Sequence, residues 1–351
     1  MSRLVKPTFS FAMKPLSTSF RASLVGTALA LVSLPLFAAD AAAPAAPAPA
    51  AAAPAAPAAP TPPPFVYPEV PPIGGLIGGP QNPGQVAYVE QIKLMGPGPV
   101  AGIPEPLLLW PNGAPQAVPD QAGKFTDEDK PAVYAFPAPA NNNTGIAFLI
   151  MPGGAFTNRC MDNEGVQVAK FLNTHGISGF VLRYRIGAVY PSRTISTMDA
   201  QRGMRFIRAN AAQWGINPDK VGIIGFSAGA ELQVDAFYNS IGKADSSVTD
   251  PIDRLSAKAD FSAMIYGGRT QITAPADCPP TFLFNTIEDG GHLIPQIAVM
   301  NALRNVGVPV QAHFNQVGPH GTAMSIGDPQ LGLWPELMVK WLKTAGHIAK
   351  K

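Results

Sequence analysis

VGIIGFSAGAELQVDAF, residues 221–237, is the stretch on which the reading of this chain turns. Its first half is a continuous apolar run, as expected of a strand buried on both faces of a parallel sheet. Its second half places Ala230, Val234 and Phe237 on one helical face. Between them stands Gly225-Phe226-Ser227-Ala228-Gly229, a G-x-S-x-G sequence at a strand-to-helix junction. A serine hydroxyl is a weak nucleophile until it is lifted clear of the sheet and given a base. A sharp turn does the lifting, and glycine on both flanks lets the backbone pass without Cβ clashes. The pentapeptide alone recurs by chance. The strand before it and the helix after it separate a nucleophile from an ordinary tight-packing turn, and Ser227 is the candidate nucleophile.

Working outward, the same rhythm repeats. Strand-like runs are expected at Ile146–Met151, Gly179–Tyr184, Ala263–Tyr266, Thr281–Asn285 and Val308–Val317. Helical faces are expected around Val168, Phe171 and Leu172, and around Met204, Ile207, Ala211 and Trp214, the latter closed by Gly215. Met300 to Val306 and Leu337 to Leu342 supply two more. Alternating strands and helices predict an α/β architecture, a doubly wound, mostly parallel sheet flanked by helices. Gly267 to Pro280 is a short link between two core strands, so a short lid and an open cleft are expected there.

The remaining chemistry falls on loops after strands. Met151-Pro152-Gly153-Gly154-Ala155-Phe156 follows an apolar run, and its glycine pair exposes backbone N–H groups. With the N–H of Ala228, those of Gly154 and Ala155 are the candidate oxyanion hole; a plain strand-to-helix turn is the alternative. In the order Ser, acid, His, the acid candidates are Asp289 and, as the alternative, Glu288, both just past the run TFLFN. His320, in Gly318-Pro319-His320-Gly321, is the candidate base. His292 competes as base or as a substrate contact, but it shares a loop with the acids. His313 lies inside a strand, His175 ends a helix, and His347 sits in the C-terminal tail.

Bulk properties exclude other classes. The net charge of +2 argues against nucleic acid or an anionic membrane as a partner. Two cysteines, Cys160 and Cys278, rule out a disulfide scaffold or a cysteine zinc knuckle. They fall at opposite ends of parallel strands and are expected to remain unjoined. Residues 1–39 read as a signal peptide: Lys6, Lys14 and Arg21, then the apolar run Ser23–Phe37, then Ala38-Ala39. Met13 is an alternative start. The run is short for a membrane span, so export to the periplasm or medium, without a stable span in the mature chain, is expected. Residues 40–64, almost pure Ala and Pro, read as a disordered linker. Residues 65–351 read as one catalytic domain with an irregular N-terminal arm over 65–104.

Over about residues 105–345 the chain resembles the acetylxylan-esterase-like branch of the α/β-hydrolases, with its bacterial carbohydrate-esterase relatives. The resemblance rests on LLLWPNGAPQAV at 107–118, the PGGAF loop, DNEGVQVAKFLNTHGISGFVLRYR at 162–185, DAQRGMRFIRANAAQWGINPDKVGIIGFSAG at 199–229, PTFLFNTIED at 280–289 and GPHG at 318–321. It implies an α/β-hydrolase fold, a triad at Ser227, Asp289 and His320, and deacetylation of sugar esters, with no metal or organic cofactor. The chain departs from the family where a third loop glycine becomes Ala155, where D-H-E-G becomes Asp162-Asn163-Glu164-Gly165, and where Gly-His after the elbow becomes Ala230-Glu231. These changes flank the triad and bear on substrate. Other small or xenobiotic esters, lactones, or a peptide bond are the alternative substrates, and a non-catalytic carbohydrate-binding relative is the alternative class.

Overall fold

In the computed structural model, which describes residues 103–240, 242–326 and 328–348, the continuous apolar runs are the strands of one sheet. They are β1 (Leu107–Leu108), β2 (Ala132–Phe136), β3 (Ile146–Met151), β4 (Ile177–Arg183), β5 (Val221–Phe226), β6 (Ser262–Ile265), β7 (Thr281–Thr286) and β8 (Val310–Asn315). Their order is β1-β2-β4-β3-β5-β6-β7-β8. From β4 to β8 all neighbours are parallel; β1 and β2 add antiparallel pairs at one edge.

Helices α1 (Gln167–Thr174), α2 (Arg193–Ala209), α3 (Ala228–Phe237), α4 (Gly290–Asn305) and α5 (Trp334–Thr344) cover both faces. The pleat decides which side chain meets which helix. Ala147, Leu149 and Met151 of β3 pack in the core that holds Met204 of α2, Leu232 of α3 and Val299 of α4. Ile146, Phe148 and Ile150 pack in the core that holds Val168 of α1 and Met338 and Trp341 of α5. Central strands covered on both sides have no polar face, which is why β3 and β5 are apolar throughout and wholly buried.

The α/β expectation holds, with local differences. The β1–β2 edge was not expected: β1 is two residues long and β2 five. The helix expected through Trp214 ends at Ala209, and a 3₁₀ turn, Ala211–Trp214, carries the apolar face on to Gly215 in the left-handed region. The helix expected from Met300 begins nearly three turns earlier, at Gly290, so His292 sits in its first turn and not in a loop. Gly290, Gly291 and Pro295 hid that start, since each reads as a breaker. Residues 267–280, the expected short lid, contain no helix. Cys160 and Cys278 are not bonded to one another, and burial pushes the Cys278 thiol up to about 12.

All described residues belong to the compact unit Val66–Lys351. The stretches expected to be a signal peptide (1–39) and a linker (40–64), and nearly all of the expected arm (65–104), lie outside the described residues. Among the described residues no helix is long and apolar enough to cross a membrane.

One buried ion pair ties the loop after β4 to α2. Arg185 and Asp199 are both fully buried and meet at 2.6 Å. Asp199 also accepts the Arg185 backbone N–H at 2.8 Å, and the guanidinium donates to the carbonyl of Pro115 at 2.6 Å. Removing one partner strands a charge in the interior. Asp199→Ala is expected to lower unfolding free energy by about 3–5 kcal/mol in urea titrations, and a loss below about 1 kcal/mol contradicts this account.

Candidate active site

The strand order places the site. β3 connects onward to β4 on one side and its neighbour β5 connects onward to β6 on the other, so the connections from this adjacent pair leave in opposite directions. A crevice opens at the carboxyl ends of strands where the order reverses in this way. The PGGAF loop leaves β3 there, and Ser227 follows β5 at the same edge. Parallel pairing puts the carboxyl ends of β7 and β8 on that edge too, so Asp289 and His320 are delivered to it.

Ser227 occupies φ 48°, ψ −118°, a sparsely populated conformation for any residue with a side chain. Close backbone packing holds it there. A Cβ on Gly229 would lie 2.0 Å from the carbonyl oxygen of Met151, and one on Gly225 would lie 2.6 Å from the carbonyl of Gly229. Glycine at both flanks is therefore a steric requirement of the turn.

The three sequence-predicted polar groups come together. Ser227 Oγ lies 2.8 Å from His320 Nε2, and His320 Nδ1 lies 2.8 Å from Asp289 Oδ2. The second oxygen of Asp289 contacts His292 Nδ1 at 2.9 Å. Burial works against the Asp289 carboxylate, but the hydrogen bonds from His292 and His320 outweigh it and hold the carboxyl below its usual range. Glu288, the alternative acid, instead accepts the Gly318 N–H at 3.1 Å. His175 faces Glu336 at 3.1 Å, His313 contacts Gln311, and His347 packs among Phe261 and Trp341, all apart from Ser227.

The loop after β3 turns through three consecutive left-handed residues: Gly154 at φ 128°, Ala155 at φ 55° and Phe156 at φ 56°. The Gly153 N–H is already spent, donating to Glu164 Oε2 at 2.6 Å. Among the described residues the N–H groups of Gly154, Ala155 and Ala228 donate no hydrogen bond, so they remain available to a ligand.

Two contributors were not singled out from sequence. Glu164 lies in a π-turn, Asp162–Val166, and is buried. Its carboxylate accepts the Gly153 N–H and, at 2.7 Å, the Tyr266 hydroxyl. Burial raises its carboxyl above the usual range despite both donors. Tyr266, at φ 35°, also accepts the Ala323 N–H at 3.0 Å, and its ring meets His320 edge-on at 5.2 Å between centroids. The sequence signal for Glu164 was its place in Asp162-Asn163-Glu164-Gly165, which keeps the glutamate and glycine of D-H-E-G. Asp289, His292 and His320 also form the described cluster of metal-type donors, with atoms within 4.8 Å of one another. Both carboxylate oxygens of Asp289 are engaged by imidazole nitrogens within it.

Comparison with known proteins agrees with this architecture. The family model BD-FAE matches residues 133–266, from β2 through β6. The acetylxylan esterase of Xylanibacter ruminicola is 34% identical over 149 residues, 41% of this chain and 28% of that protein. Endo-1,4-β-xylanase B of Butyrivibrio fibrisolvens is 36% identical over 212 residues, 50% of this chain and 32% of that protein. The chain thus spans less than a third of the length of these curated relatives. The crystal structure of the acetyl ester-xyloside bifunctional hydrolase from Caldicellulosiruptor lactoaceticus superimposes with a TM-score of 0.62 at 25% identity, covering 71% of this chain and all of that one. The chain is an α/β-hydrolase in fold. Over part of its length it is similar to an acetylxylan esterase.

Glu164 is the sole described acceptor for the Gly153 N–H, so its loss frees the loop next to Ser227. A misplacement of about 1 Å near reacting atoms costs on the order of 10²-fold. Glu164→Ala is expected to slow labelling of the chain by a fluorophosphonate about 10²-fold while its circular dichroism is retained. Labelling at the wild-type rate contradicts that role.

Proposed function

We propose that this chain is a carboxylic-ester hydrolase that works through an acyl-enzyme on Ser227. The observation that carries the reading is the continuous relay from Ser227 Oγ through His320 to Asp289, with 2.8 Å at each step, on a strained strand-to-helix turn. In this mechanism Oγ attacks the acyl carbon while His320 Nε2 takes its proton. Asp289 orients the imidazole and stabilises the imidazolium. The N–H groups of Gly154, Ala155 and Ala228 receive the oxyanion. The tetrahedral intermediate collapses, the C–O bond to the alcohol breaks, and His320 returns the proton to the departing alkoxide. Water then enters and its oxygen attacks the acyl carbon while His320 takes one of its protons; the acyl bond to Oγ breaks, His320 returns the proton to Ser227, and the acid is released.

The substrate class we propose is acetylated xylan or another acetylated sugar. The support is the similarity to proteins named as acetylxylan esterase, xylanase and acetyl ester-xyloside hydrolase. The helix-free link at 267–280 fits an open cleft for a bulky ester. Export is part of the proposal and rests on the basic residues and the apolar run Ser23–Phe37.

The test is a short acyl-ester series beside acetylated xylan, together with an organophosphonate probe. Ser227→Ala is expected to reduce kcat by on the order of 10³-fold or more with the fold intact. Acetyl esters are expected to turn over faster than octanoyl esters. Near wild-type activity of Ser227→Ala sinks the nucleophile assignment. No reaction with the probe favours a binding protein, and rates rising to C8 displace the acetyl reading.

A further inference from the structure

Asp289 serves two imidazoles. Its Oδ2 meets His320 Nδ1 at 2.8 Å and its Oδ1 meets His292 Nδ1 at 2.9 Å. The two rings are stacked, with centroids 3.7 Å apart and planes 17° from parallel. Both are about one-third exposed, while the carboxylate between them is almost wholly buried. The arrangement follows from the extra half-turn of chain between Asp289 and the body of α4: Asp289 is the residue before the helix, and position 292 in the first turn projects back over it. A triad of this kind needs one imidazole on the carboxylate. The second is not accounted for by hydrolysis alone.

We propose that His292 is a positioning residue for the His320 base: seated on the second oxygen of Asp289 and stacked on the His320 ring, it governs how readily that ring takes the serine proton. The inference rests on the hydrolytic reading of Ser227, Asp289 and His320. Two consequences follow from the geometry. The hydrogen bond from His292 fixes the carboxylate rotamer, so the other oxygen stays aimed at His320. A proton on His292 also places a positive charge against the ring that must become an imidazolium during acylation. The carboxylate has one negative charge to share between two rings, so the rings accept protons as a coupled pair.

The surrounding charges favour a proton on His292. Its hydrogen bond to Asp289 is the largest influence raising its affinity for a proton, opposed by burial and assisted by the charges of Asp289 and Glu231. Glu231, on α3, is itself paired with Arg193 at 2.6 Å. On the other side His320 faces the edge of Tyr266, whose hydroxyl donates to the buried carboxyl of Glu164. As pH rises, His292 gives up its proton, the repulsion of the neighbouring imidazolium disappears, and acylation accelerates.

The experiment is the pH profile of kcat/KM for p-nitrophenyl acetate with the wild type, His292→Leu and His292→Asn, beside NMR titration of the imidazole signals of the same full-length proteins. The wild-type acid limb is expected to rise in two steps. Both variants are expected to show one step, displaced upward from the lower wild-type step. Leucine removes the hydrogen bond and is expected to lower the plateau about tenfold, the rate equivalent of one charge-assisted hydrogen bond. Asparagine can still donate to Asp289 without carrying a charge, so it is expected to recover the plateau but not the second step. A wild-type limb that superimposes on that of His292→Asn overturns the proposal, as does a plateau loss with no change of shape. If the chain hydrolyses no ester, the functional reading fails and the titration still decides this one. Ring signals of His320 moving in two steps in the wild type and one in His292→Asn support it, and a single step in both overturns it.

Discussion

The contact between the Met151 carbonyl and the α-carbon of Gly229 is the constraint on which the site depends. A side chain at 229 would meet that oxygen at 2.0 Å, so only glycine lets the start of α3 lie against the end of β3. That approach sets two things at once. It bends the chain at Ser227 into φ 48°, which lifts the hydroxyl off the sheet edge, and it brings the start of α3 against Met151 and Pro152, where the loop after β3 begins. The cost of the strained residue is offset by two fully buried strands and the helix packed behind them.

Polar groups buried next to this turn hold the loops that carry the rest of the proposed machinery. Glu164 accepts from the Gly153 N–H and from Tyr266, and Tyr266 accepts from Ala323, in the segment just after His320. A single chain of hydrogen bonds thus runs from the loop after β3 to the loop after β8. Each donor and acceptor in it is removed from water, so each break leaves an unsatisfied group in the interior. The Arg185–Asp199 pair does the same for the loop after β4. These networks keep loop backbones in place at an edge where no strand pairing reaches them.

Legibility divided along the range of the forces involved. The strands, the helices and the Ser227 junction follow from local pattern, because a strand covered on both faces must be apolar throughout and a turn this tight must be flanked by glycine. The positions of Asp289 and His320 could be read from chain order, since loops at the carboxyl ends of parallel strands share an edge. What misled was also local. Gly290, Gly291 and Pro295 read as loop, yet the sheet and the apolar core beneath Val299 and Leu303 supply the packing that makes a helix there. Tertiary burial overrode propensity, and His292 moved from a loop to a helical turn.

The sequence by itself determined the α/β order of elements, the strained serine at its junction, and the glycines without which that junction has no allowed backbone. Only the tertiary structure decided that one carboxylate is shared by two stacked imidazoles, that Glu164 is spent on a backbone N–H and a tyrosine, and that Gly154 and Ala155 keep their N–H groups unspent. Those are matters of direction between groups far apart in the chain. Hydrophobic periodicity records which face of an element is buried; it carries no record of which polar atom across the crevice a buried side chain will meet.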